Sequence, residues 1–129
     1  MNRRTSFTTL ASAALCAAMP SQAAGPGIQL HVDLNVDPAK EKALLKNFAT
    51  TFYPAIKKQP GFIDAKLMRL RIVAKGAGPA NTNYRLLLSF QTEEQRLKWV
   101  ASDDHQRVWP DMDKNLRGDK LSAVLFDLV

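Results

Sequence analysis

The sequence predicts an α+β domain, and three stretches carry that prediction. Ile28 to Val36 alternates apolar and polar residues without a break, the period of a half-buried strand. Leu44, Leu45, Phe48, Phe52 and Ile56 then recur at helical spacing. Thr92-Glu93-Glu94-Gln95 reads as a helix start set between two further strand-like runs, Tyr84 to Gln91 and Leu121 to Val129.

In chain order, the first 23 residues read as a secretory signal peptide. Arg3 and Arg4 form a basic leading region, Phe7 to Met19 is a short Ala-rich apolar run, and Ser21-Gln22-Ala23 sets small residues around a cleavage site. The run is far shorter than the roughly 20 residues of a bilayer span, so no stable membrane insertion is expected after cleavage. The domain is then residues 24–129, periplasmic or secreted. Arg3-Arg4 is similar to a twin-arginine signal, but Ser6 stands where that pattern has Phe, so the export route stays open. Cys16, the sole cysteine, falls inside the signal, with Leu15 where a lipoprotein signal has a small residue. Cysteine ligation and nucleophilic cysteine chemistry are therefore excluded from the mature domain.

On strand one, Ile28, Leu30, Val32, Leu34 and Val36 share a face, and Gln29, His31, Asp33 and Asn35 share the other. Asp37-Pro38 starts the first helix, with Pro54 expected to kink it or make its last turn irregular, and Gln59-Pro60-Gly61 to end it. Phe62 to Val73 reads as a long strand, apolar in part on both faces, followed by a loop over Lys75 to Asn83. After Tyr84 to Gln91, Thr92 and Gln95 are expected to cap each other reciprocally. Ser102 or Asp103 caps a short helix interrupted or restarted at Pro110 and stopped near Gly118. The resulting β-α-β-β-α-β order is ferredoxin-like, with helices on one face of an antiparallel sheet. The other face would leave apolar side chains bare, and isologous packing of a second copy, closing a dimeric α+β barrel, is the natural cover.

The formal net charge of +6 is spread along the chain with no basic run interleaved with aromatics, so no nucleic-acid surface is expected. No phosphate loop, nucleotide fingerprint or Ser-His-acid arrangement is present, which removes kinase, dehydrogenase and hydrolase readings. The two histidines lie far apart, and Asp103-Asp104-His105 cannot converge on one ion, so no metal site is expected.

Candidate chemistry gathers between Leu97 and Trp109, which holds both tryptophans and His105. His105 titrates near working pH and is the candidate base; as a plain surface residue it would sit half-exposed at a helix start. Trp99 is the second candidate catalytic residue, walling an aromatic substrate and donating its indole N–H, or else serves as core packing alone, and Trp109 is a candidate substrate-binding residue. Asn35, His31 and Tyr84 are candidate substrate-binding hydrogen-bond partners, or else face solvent or a dimer interface. Arg69 and Arg71 are candidate holders of an anion, or else ordinary strand-edge charges.

With this element order, Gln59-Pro60-Gly61-Phe62 after the first helix, and Trp99-Val100-Ala101-Ser102-Asp103-Asp104-His105 on the second helical region, the chain resembles the antibiotic biosynthesis monooxygenase (ABM) family of dimeric α+β barrels. The resemblance implies a homodimer with a small hydrophobic or aromatic molecule bound between helices and sheet, and oxygenation of a phenolic or quinol-like compound with no cofactor. In the heme-degrading branch of the family the axial histidine lies ten residues after the tryptophan. Here Trp109 holds that position, His105 is only six residues on, and Val32 stands near the branch's asparagine, so heme is a minor alternative. A non-catalytic periplasmic module that binds an apolar ligand or only dimerises is the other reading. It would stand if His105 and Trp99 did not share a cavity.

Overall fold

The structure is a computed structural model that describes residues 26–118 and 121–129; the expected signal peptide, with Cys16, lies outside the described residues. Its elements are β1 (Ile28–Leu34), a 3-10 turn (Pro38–Lys40), α1 (Glu41–Asn47), a π turn (Phe48–Phe52), α2 (Tyr53–Lys57), β2 (Phe62–Arg69), β3 (Tyr84–Phe90), α3 (Glu93–Ala101), α4 (Asp103–Asp113) and β4 (Ser122–Asp127). The four strands form one antiparallel sheet in the order β2-β3-β1-β4. This is the ferredoxin-like arrangement the alternation predicts.

Register fixes which side chains meet the helices. Leu30 pairs with Leu88, Val32 with Leu86 and Leu34 with Tyr84, so the apolar set of β1 and the even positions of β3 share the inner face. Against them pack Leu44, Phe52, Ile56, Trp99, Val108 and Met112, all essentially inaccessible to solvent. Side chains of this size each contribute about 1.5–3 kcal/mol on burial, so this inner face is the source of cohesion. The outer face carries Gln29, His31 and Asp33 of β1 with Leu87, Val124 and Phe126 opposite them.

Four local expectations need correction. The first helix breaks upstream of Pro54: Tyr53 N–H donates to the Phe48 carbonyl, five residues back. Proline offers no N–H and crowds the preceding turn, and widening that turn accommodates it. Strand β2 ends at Arg69, four residues short of Val73; Leu70 adds one bond to the Asn83 carbonyl (2.8 Å), and residues 70–80 are all exposed. Thr92 caps Gln95 N–H at 3.1 Å, but the Gln95 side chain does not reach back. It lies over Gly61, whose left-handed backbone (φ +81°) favours glycine in this turn. Helix α4 runs through Pro110 and stops at Asp113, well before Gly118, with Asn115 Nδ2 donating to the Asp111 carbonyl at 2.8 Å.

Candidate functional site

The junction of α3 and α4 builds the site. Ser102 is extended (φ −74°, ψ 157°), closing α3 and opening α4 in one residue. Its hydroxyl donates to the Trp99 carbonyl at 2.7 Å and accepts from His105 N–H at 3.1 Å. One side chain therefore ties the last turn of α3, which carries Trp99, to the first turn of α4, which carries His105.

The rings they hold form an aromatic cluster. The Trp99 indole meets His105 edge-on, centroids 5.1 Å apart at 84°, and Trp109, one turn along α4, lies nearly parallel to the imidazole at 6.2 Å and 10°. Phe52 closes the cluster against both tryptophans at 5.7 and 6.5 Å. It is delivered by the π turn.

Trp99, His105, Trp109 and Phe52 line one cavity of about 160 Å³ between helices and sheet. Leu30, Val32, Leu86 and Leu88 form its floor, and Leu121 and Ala123, both exposed, its edge. Among the described residues the wall is almost wholly apolar, with His105 and Arg96 its titratable members. Among the described residues His105 Nδ1 has no hydrogen-bond partner, and it is buried. Burial holds the His105 imidazole below its ordinary basicity, and the positive end of α4 acts in the same direction, so the ring is neutral at neutral pH. In the neutral ring the nitrogen that does not carry the proton keeps a lone pair. Arg96 is clamped by Glu93, Nε to Oε1 at 2.6 Å and Nη2 to Oε2 at 2.7 Å.

The structure does not bring the other predicted residues to this cavity. His31 lies on the outer sheet face, Nε2 2.8 Å from Gln29 Oε1 and its ring edge-on to Phe126 at 4.8 Å; burial, then Arg85, lower its pKa. Asn35 accepts from Arg117 at the sheet end, in an open hollow of about 300 Å³ that has no aromatic wall among the described residues. Tyr84 is on the inner face but at the far end, its hydroxyl donating to Glu41 Oε2 at 2.5 Å, which holds the Glu41 carboxyl below its ordinary range. Arg69 joins that pair at 3.5 Å, and Arg71 lies in an exposed hollow beside it. The strand-one residues fail for a plain reason: the cavity lies under the helices, on the apolar face. Arg96 was overlooked because a charged helix residue reads as solvated, although Arg96, Trp99 and Val100 share one helix face by spacing.

No protein-family model matches the chain, and no curated protein matches it in sequence. Solved structures do match it in shape. A protein from Bordetella bronchiseptica, provisionally named an antibiotic biosynthesis monooxygenase, superposes with a TM-score of 0.65 at 18% identity, over 81% of this chain and 98% of that one. Its fold is that of the antibiotic biosynthesis monooxygenases. SnoaB, a cofactor-independent oxygenase from Streptomyces nogalater, gives 0.60 at 17% identity, over 79% of this chain and 92% of its own. A dimeric ferredoxin-like protein of unknown function from Jannaschia gives 0.67 at 13% identity, over 79% and 99%. At such identities the ABM-type fold is shared and the chemistry has to be argued from the residues.

A heme does not fit this site. A cavity of about 160 Å³ has room for one small ring and not for a tetrapyrrole, and the His105 ring is covered by Trp99 and Trp109. Among the described residues no group of three His, Cys, Asp or Glu side chains is placed to hold a metal ion.

Proposed function

We propose that this chain is an exported homodimeric monooxygenase that oxidises a small phenolic or quinol-like compound without a cofactor. One observation carries the proposal: His105, its basicity lowered by burial, stands against two tryptophans at the wall of an apolar cavity. The volume admits about one aromatic ring, comparable to the roughly 150 Å³ apolar cavities that take up benzene.

The chemistry such a site supports is simple. His105 takes the proton of an acidic O–H or C–H, the tryptophans and Phe52 keep water off the anion, and dioxygen accepts an electron from it. The radical pair recombines as a peroxide anion, which takes the proton back from His105, and the hydroperoxide loses water to leave a carbonyl where the C–H stood. A phenol of ordinary acidity, near pKa 10, sits at least roughly 3.5 units above this histidine, so the transfer is uphill by about 5 kcal/mol. The substrate must therefore be activated, or its anion held. Sharing a fold with SnoaB supports the absence of a cofactor.

The homodimer reading rests on the outer sheet face. Val124 and Phe126 are 51% and 53% exposed there, beside Leu87, a patch that a second copy would cover; the dimeric Jannaschia protein supports the same arrangement. Export rests on Arg3, Arg4 and the Ala-rich run up to Ala23. A non-catalytic binding module is the second reading, favoured by the depressed basicity of His105.

Oxygen uptake over a panel of single-ring hydroquinones and activated phenols separates the two. The monooxygenase reading predicts uptake above the uncatalysed rate, label from isotopic dioxygen in the product, and a loss of at least roughly tenfold in His105→Ala. Uptake with His105→Ala equal to wild type removes the base. Binding without any uptake leaves the module.

A further inference from the structure

Two routes lead to the reacting anion: a substrate activated enough for His105 to deprotonate, or an anion held by the protein. The cavity wall decides between them. Among the described residues it is almost wholly apolar, and its titratable members are His105 and Arg96. Arg96 grips Glu93, Nε to Oε1 at 2.6 Å and Nη2 to Oε2 at 2.7 Å, so its head turns to the carboxylate and the pair has no net charge. With so apolar a lining, the part of Arg96 that borders the cavity is its methylene stem. The floor from β1 and β3, the π turn and the rim at Leu121 and Ala123 bring only hydrocarbon side chains. The first turn of α4, a helix end that attracts anions, itself carries Asp103 and Asp104 beside His105. Asp104 in turn pairs with Arg107 at 2.9 Å and Lys58 at 3.6 Å. An anion moved from water against such a wall loses its hydration and gains no partner, a penalty it escapes by keeping its proton.

We infer that the cavity admits its guest only in uncharged form, selecting neutral single-ring arenes and un-ionised phenols over phenolates and aromatic carboxylates of the same size. The inference rests on the proposed oxygenase site and adds to it the charge of the guest and the order of events. A phenolic guest enters with its proton, the O–H bond breaks inside, and the proton goes to His105 instead of to bulk water before entry. Activation then has to come from the substrate itself. The charged groups around the guest are Arg96 with Glu93 behind it on α3, and Asp103 and Asp104 on α4 with the partners of Asp104.

The test uses 4-nitrophenol, which ionises near neutrality, and nitrobenzene as its permanently neutral counterpart. Affinities for the purified wild-type protein are measured by equilibrium dialysis from about pH 6.5 to about pH 9, where His105 keeps one charge state. Nitrophenol affinity is expected to be level while the free compound keeps its proton and to fall about tenfold for each pH unit beyond its ionisation, with nitrobenzene affinity level throughout. Val100→Phe and Val100→Trp, which narrow the cavity in two steps, are expected to weaken both compounds in that order. Nitrophenol binding that stays level or tightens as the compound ionises overturns the inference. So does nitrophenol binding that neither variant weakens, since it then lies elsewhere. Nitrobenzene binding alone also overturns it, while leaving the aromatic cavity in place. If neither compound binds, the cavity reading and this inference fall together.

Discussion

His105 couples the site to stability as well as to chemistry. Its imidazole is harder to protonate in the folded chain than in the unfolded one, because burial between Trp99 and Trp109 disfavours the charged ring. The unfolded chain therefore takes up the proton near pH 6.5, and the folded chain only at lower pH. Stability is full above that value, declines as pH falls below it, and levels off once the folded form is also protonated. His31 adds a decline of the same sign. Lowered carboxylates such as Glu41 and Glu93 act below about pH 4.5, outside this window. His105→Phe keeps a flat ring between the tryptophans and cannot titrate. Thermal melts from about pH 8 to about pH 5 are expected to show a smaller fall in Tm for the variant than for the wild type; parallel curves would show that His105 is not desolvated. At this scale the sequence showed His105, Trp99 and Trp109, since one short stretch holds them all. It misled for His31 and Asn35, whose polar register on β1 turns them away from the helices. It concealed Arg96, whose burial depends on how α3 sits over the sheet.

At the scale of elements, the decisive joint is Ser102. Thr92 and Ser102 were both legible as caps, because a side-chain oxygen before a helix satisfies N–H groups that the helix cannot. That one hydroxyl also bonds back to the Trp99 carbonyl was not legible, since it depends on the angle between α3 and α4. Ser102→Ala is expected to cost about 1 kcal/mol in chemical denaturation and to weaken binding of aromatic guests, as Trp99 and His105 lose their common tether. Ser102→Asp, which can still accept from His105 N–H, should recover most of the stability. If Ser102→Ala denatures and binds like wild type, the joint contributes nothing. Elsewhere, the alternation of Leu70 and Ile72 imitated a strand, yet both side chains are exposed and no ladder continues past Asn83. Pro54 signalled a disturbance correctly, but its effect falls on the turn before it, which is the turn that brings Phe52 to the cavity.

For the whole molecule, the β-α-β-β-α-β order and the antiparallel sheet followed from periodicity alone, because a strand period of two and a helix period near 3.6 are hard to confuse over runs this long. Periodicity did not show which end of the inner face stays open. That depends on β4, an edge strand whose side chains are all exposed although Ala123 borders the cavity. The outer face, where Phe126 meets His31, is the surface a second copy would cover, and Phe126→Glu there should yield a monomer. In the proposed homodimer each chain holds one small aromatic molecule beside His105. Native mass spectrometry of the purified protein titrated with hydroquinone tests it most directly. A dimer that takes up two hydroquinones is expected, and fewer when Val100 at the cavity wall is enlarged to Trp. A monomer, or a dimer that takes up none, would contradict it.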